Sequence, residues 1–270
     1  MAITTLDGAI AGMQWPRAIA KAVTGTMVAG RYQSLWGLAG NPGAGTWDNT
    51  LNGVVLSQTS AQVNGAINFV DPGSGNSYLA RLTGAATQAG TLILADRIWH
   101  NGGYTITSTG AQNSTTPTWP SRDVNGSTNG DGILLGLEIS AAAGAAAPTI
   151  TIAYTNSAGT GSRSATNTYA TANSPSAGAF FPISLQAGDI GVRSVQSLTL
   201  SVSWVSGTMN LVAYRPLAYL ELPVPLVSNS IDSLTSGFPR LFNGTTPYLI
   251  FLPNTTTTSN ISGSVVWTQG

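Results

Sequence analysis

Short alternations of apolar and polar residues run through most of this chain. The clearest lies at Gln196–Arg215, where Leu198, Leu200, Val202 and Trp204 alternate with Thr199, Ser201 and Ser203. A period of two puts one side of a strand in a core and the other on a polar face. The pair Ser206-Gly207 interrupts the run. Beyond it Asn210, Val212 and Tyr214 alternate with Met209, Leu211 and Ala213. The pattern predicts a long antiparallel hairpin that reverses at Ser206-Gly207.

Comparable runs occupy Leu51–Ser57, Ala66–Val70, Tyr78–Thr83, Thr91–Trp99 and Gly103–Ser108. After a gap come Ile133–Ile139, Thr149–Tyr154, Arg163–Tyr169 and Phe180–Leu185, with Val192 leading into the hairpin. Leu217–Leu222, Pro247–Leu252 and Ser262–Thr268 follow it, and the second of these is apolar enough to be buried on both faces. Pro216 predicts a bend or an edge, and Ile231–Ser236 a single helical turn. Residues 109–132 carry no period and read as one long loop. Loops of that length in a compact domain usually serve binding or contact. Roughly ten to a dozen short strands at this spacing predict an all-β chain, a jelly-roll-like antiparallel β-sandwich.

Residues 1–50 break the pattern. Pro16–Val23 predicts a short helix, with Pro16 at its first position and Gly25 closing it. Trp15, Trp36 and Trp47 lie among Gly37, Gly40, Gly43 and Gly45. Large aromatics in a glycine-rich segment fit an irregular arm that docks on a partner. They fit equally well a segment that folds back on its own domain. The expected division is an N-terminal arm over 1–50 and a β-sandwich body over 51–270.

Composition narrows the function. Charged residues make up 7% of the chain, against about 25% in ordinary globular domains. Ten basic residues balance ten acidic ones, and Lys21 is the single lysine. Solubility therefore rests on Ser, Thr, Asn, Gln and Gly, which suits a protein held inside an assembly. Nine scattered arginines and one lysine do not make a nucleic-acid surface. The absence of cysteine excludes disulfides and cysteine–zinc sites. No apolar run approaches the ~20 residues of a membrane helix. Met1–Ile10 has neither a basic nor a long apolar stretch, so no export signal is expected.

Candidate chemistry is sparse. His100, near Asp96 at a strand end, has the makings of a general base. With no nucleophile motif beside it, a packed histidine is the better expectation. The oxygen-rich loop Asp123–Asp131 offers Asp123, Asn125, Asn129 and Asp131 as a weak calcium set. Its spacing is not that of an EF-hand, and Asp and Asn are also good turn formers. Glu138 and Glu221 would act as a glycosidase pair only if they shared one cleft, and exposed strand positions account for them as well. No glycine-rich loop has the phosphate-binding form. The expectation is no catalytic residue, no cofactor and no enzyme.

Five segments, Ala95–Ser108, Trp119–Gly132, Pro148–Ser157, Gln186–Val195 and Asn260–Gly270, resemble a family of virion structural proteins from tailed bacteriophages. The likeness covers roughly the last two-thirds of the chain. Its motifs are structural, so no catalytic residue carries over. The resemblance implies a particle component made in the bacterial host cytoplasm and located in the virion. Its implied role is a decoration or cement protein that binds the major capsid protein and other copies of itself, as a homotrimer. Trp15, Trp36 and Trp47 are then the candidate contacts. The alternatives are a neck or tail protein, including a host-receptor binder, and a secreted carbohydrate-binding module or glycosidase.

Overall fold

The computed structural model describes residues 3–48, 50, 52–168, 174–233, 237 and 239–270. In chain order its elements begin with helix α1 (Leu6–Ala11), followed by β1 (Arg17–Val23), β2 (Gln33–Ser34), β3 (Gly40–Asn41) and β4 (Val54–Val55). A single 3-10 turn spans Val63–Gly65. Then come β5 (Ser77–Ala86), β6 (Gly90–Asn101), β7 (Gln112–Asn113), β8 (Leu134–Ala141), β9 (Thr149–Asn156) and β10 (Arg163–Thr168). The rest are β11 (Phe180–Ile183), β12 (Val192–Leu200), β13 (Thr208–Leu222), β14 (Asn229–Asp232), β15 (Arg240–Leu241), β16 (Pro247–Pro253) and β17 (Ser259–Gln269). The chain is all-β, built of antiparallel sheets in a sandwich-like arrangement, as its alternations require.

The chain forms two compact units, and neither is one continuous segment. The first unit comprises Met1–Thr46, Ser57–Asp96 and Pro216–Gly270, and the second Trp47–Leu56 and Arg97–Arg215. This cuts the chain differently from an arm over 1–50 on a body over 51–270. Strands β6 and β13 each begin in one unit and end in the other, and β13 passes between them at Pro216.

In the first unit β17 lies between β5 and β1, and β1 between β17 and β3. The opposing layer includes β16, paired with Gly90–Asp96 of β6. Leu82, Ile261, Val265 and Ile19 from one layer share a core with Leu92, Leu94, Leu249 and Phe251 from the other. Phe69 meets Trp267 edge to face within it, 5.8 Å between ring centres.

The helix expected over 16–23 is instead the interior strand β1. Its burial alternates, with Ile19, Lys21 and Val23 inward and Ala18, Ala20 and Ala22 outward. Pairing to both neighbours overrides the helix propensity of its alanines. An inward lysine disguised the period: Lys21 is buried, and its Nζ donates to the carbonyls of Leu38 (2.7 Å) and Gly43 (2.9 Å). The helix forms earlier, where Thr5 caps α1 by accepting from the Gly8 N–H at 3.0 Å. Ala66–Val70, expected as a strand, is irregular, although Ile67 and Phe69 still reach the core. Of the turn expected at Ile231–Ser236, the first two residues end β14, and residues 234–236 lie outside the described residues.

In the second unit β9 lies between β10 and β12, and β8 between β11 and β13. Ile150, Ile152 and Leu198 from the first of these sheets pack with Leu135, Leu137 and Leu211 from the other. The hairpin predicted at Ser206-Gly207 does not form. β12 pairs with β9 and β7, whereas β13 pairs with β8. Between them residues 201–207 cross from one sheet to the other. Trp204 plugs into the core, and its backbone N–H donates to Ile106 O at 3.0 Å. Gly103–Ser108 is likewise not a strand, yet Tyr104 and Ile106 are buried. Of the strand expected to end at Tyr169, residues 163–168 form β10 and Tyr169 lies outside the described residues; so does Leu51, the expected start of the strand reduced here to β4.

Candidate functional site

Of the long loop foreseen at 109–132 in the second unit, Gln112–Asn113 form β7 and Asp131 bridges Gly191, and the rest is irregular. Asp123 organises it. This carboxylate is fully buried and accepts five hydrogen bonds. Oδ1 takes the N–H groups of Asn125 (2.9 Å) and Ser127 (2.7 Å). Oδ2 takes the Ser127 hydroxyl (2.6 Å) and the N–H groups of Gly130 (3.1 Å) and Asp131 (3.2 Å). Burial pushes the carboxyl up, but the bonds from Ser127, Asn125 and Asp131 outweigh it and hold it below the usual carboxylate range.

Each of the four calcium candidates has a hydrogen-bond partner, three of them within the loop and Asn129 on β12. Asp123 faces donors on both oxygens. Asn125 donates to Asp131 Oδ2 at 2.9 Å, and Asn129 Oδ1 accepts from Arg193 Nη2. Among the described residues no three His, Asp or Glu side chains gather as a metal site.

Beside this network lies an open cleft of about 300 Å³. Thr116, Thr118 and Thr128 line it together with Trp119, Asn129 and Arg193. Trp119 is buried, its ring tilted against Trp99 at 6.4 Å. Thr116 is pinned to β12, accepting from the Val195 N–H at 3.3 Å. Arg193 reaches across to the loop: Nε donates to Asn129 O at 3.4 Å, and Nη2 to Asn129 Oδ1 and to Ser157 O (3.2 Å). Sequence reasoning singled out the loop but not Arg193, which comes from a separate strand and carries no local signal.

His100 is a core residue. It is fully buried, and its Nδ1 accepts from Arg97 Nη2 (3.0 Å) and Nε (3.3 Å). Burial, and then the neighbouring Arg97 charge, hold its pKa well below the ordinary histidine value. With Nδ1 occupied by a guanidinium, that nitrogen has no lone pair to offer as a base. Glu138, expected on an exposed strand face, is instead buried and ion-paired with Arg97 at 2.6 Å. Glu221 stays exposed in the first unit, where it accepts from Thr91 Oγ1 at 2.9 Å.

The three tryptophans named as contacts separate. Trp36 is wholly buried and is a core residue, not a contact. Its Nε1 donates to Thr46 O at 3.1 Å, and its ring meets Tyr248 edge to face. Gly45 and Gly65 sit against that ring so closely that a Cβ would lie 2.3 and 2.8 Å from its carbons, which explains glycines beside this tryptophan. Trp47 is half-buried. Trp15 is 83% exposed and follows the exposed Leu6, Ile10 and Met13.

No family model matches the chain, and no curated protein does. Among solved structures it is similar to the VP2 subviral particle of infectious bursal disease virus, at 9% identity over 96% of this chain and 81% of that one, with a TM-score of 0.18. It is also similar to the structure of the Gt strain of that virus, at 11% identity over 95% and 82%, with a TM-score of 0.16. Likenesses at that level carry no argument about this chain.

Proposed function

We propose that this chain is a structural component of a tailed-bacteriophage particle, a decoration or cement protein that binds the major capsid protein as a homotrimer and performs no catalysis. A sandwich hosts many functions, so the fold alone does not decide. The carrying observation is where the charges lie. Eight of the twenty charged side chains, Lys21, Asp48, Asp96, Arg97, Arg122, Asp123, Glu138 and Arg215, are buried. Twelve remain for the surface of a 270-residue chain. Apolar residues stay in solvent meanwhile, among them Trp15, Ile190 and Leu226. A surface so poor in charge makes its contacts through shape, apolar area and neutral hydrogen bonds. Such contacts are little weakened by salt.

The test is to raise purified particles to about 2 M NaCl, where screening acts within a few ångströms, and to count copies retained. Retention of hundreds of copies per particle is expected. Release by salt would remove the cement reading, and a count of a few copies would move the chain to the neck or tail.

A further inference from the structure

We propose that the cleft beside Arg193 binds the anionic group of an acidic sugar, a carboxylate or phosphate carried on a hydroxylated ring. Three observations converge on that ligand chemistry. First, the guanidinium is an unneutralised cation: its recorded acceptors, Asn129 O, Asn129 Oδ1 and Ser157 O, are all neutral, and no carboxylate of the described residues lies within ion-pair range. Its Nη1 makes no hydrogen bond within the described residues, which leaves donors for a ligand. With Nε and both Nη2 hydrogens engaged, the Nη1 N–H groups remain to make charge-assisted bonds to an oxyanion.

Second, the rest of the lining is hydroxyl-rich and uncharged. Thr118 and Thr128 offer exposed hydroxyls that both donate and accept, as sugar hydroxyls do, while the Thr116 hydroxyl is held by Val195. A cleft of about 300 Å³ is at the small end of ligand sites and suits one ring, not a peptide.

Third, the wall is pre-formed. Asn129 N–H bonds to Ser127 Oγ at 3.1 Å, and Ser127 is in turn held by Asp123. Ligand binding then costs little ordering of the loop. The long loop acquires a use that bracing alone does not require. The inference does not depend on where in a particle the chain sits.

The experiment titrates the full chain with glucuronic acid, glucose 6-phosphate and glucose, followed by amide chemical shifts. Saturable binding with Kd on the order of a millimolar, about −4 kcal/mol, is expected for at least one acidic probe. Its shifts should centre on Thr118, Thr128 and Arg193, and glucose should bind at least tenfold more weakly. Tighter binding of glucuronic acid identifies the carboxylate as the recognised group, and tighter binding of glucose 6-phosphate the phosphate. Arg193→Gln should weaken the acidic probe at least tenfold. Because Arg193 also braces the loop, Thr118→Val, at an exposed position, serves as the second variant and should weaken binding without changing the melting temperature. Equal binding of glucose, no saturation with either acid, or unchanged affinity in both variants would each overturn the proposal.

Discussion

Arg97 and Glu138 form a 2.6 Å ion pair whose two side chains are both fully buried in the second unit. Removing one partner strands the other charge away from water, which typically costs about 3–5 kcal/mol. Glu138→Gln is therefore expected to lower stability by about that much in urea unfolding. The joint Arg97→Met, Glu138→Leu variant should lose clearly less than the two single changes summed. Additive losses would show that the pair is not coupled.

Lys21 gives the first unit an unusual response to alkali. Burial lowers its pKa from 10.5 to about 8. Between those values the unfolded chain binds the proton that the folded chain has released, so stability rises with pH across that window. The gain is about 3 kcal/mol at most, since two carbonyls bonded to Nζ favour the charged form. Above about pH 10 tyrosines oppose it, because burial pushes Tyr104 up to about 12. Melting temperatures of the wild type should climb from pH 8 to 10, and those of Lys21→Met should stay flat.

Asp189 governs the acid side. The Arg163 side chain, Tyr154 and Asn156 hydrogen-bond it and hold its pKa at about 2, below the ordinary 3.8. Its contribution is present above about pH 4 and is lost as the pH falls toward 2. Asp189→Asn should lower stability at pH 7 and flatten the acid limb of a stability–pH curve.

The tryptophans call for opposite results. Trp36→Ala should cost about 3–5 kcal/mol, the usual penalty for emptying a buried aromatic site. Trp15→Ala should leave stability within about 0.5 kcal/mol while reducing binding to particles that lack the protein. Deleting residues 1–50 is no clean test of contact, because it removes β1 from the interior of its sheet and should unfold the first unit.

Asp123→Ala should destabilise by about 2–3 kcal/mol, since it leaves several inward N–H groups without acceptors. Calcium and EDTA should both leave the melting temperature of the wild type unchanged. A rise with calcium would show that the loop oxygens do hold a cation.

The strands were legible wherever alternation was uninterrupted. β9 follows the alternation read at Thr149–Tyr154 and extends it to Asn156, whereas β12 alternates only over Leu198–Leu200, after two register shifts between Val192 and Ser197. What the pattern cannot carry is the partner of a strand. Leu198 and Leu211 face a common core whether their strands pair or belong to opposite sheets, so the alternation fits a hairpin and a crossover alike. β1 was missed because one inward position is a lysine. The Asp123 loop was visible by composition, but its chemistry was not: the same Asp and Asn residues serve a cation or a set of backbone donors. Arg193 had no local signal, because its role depends on a loop more than sixty residues away.

The placement of β17 bears on how the protein is made. Residues 259–269 separate β1 from β5, so those two strands lack their shared neighbour until residue 269 has left the ribosome. The second unit ends at Arg215 and is fully translated well before then. Synthesis should thus yield one finished half beside an open sheet edge, the kind of surface that recruits stray strands. Removing residues 259–269 would make that transient condition permanent.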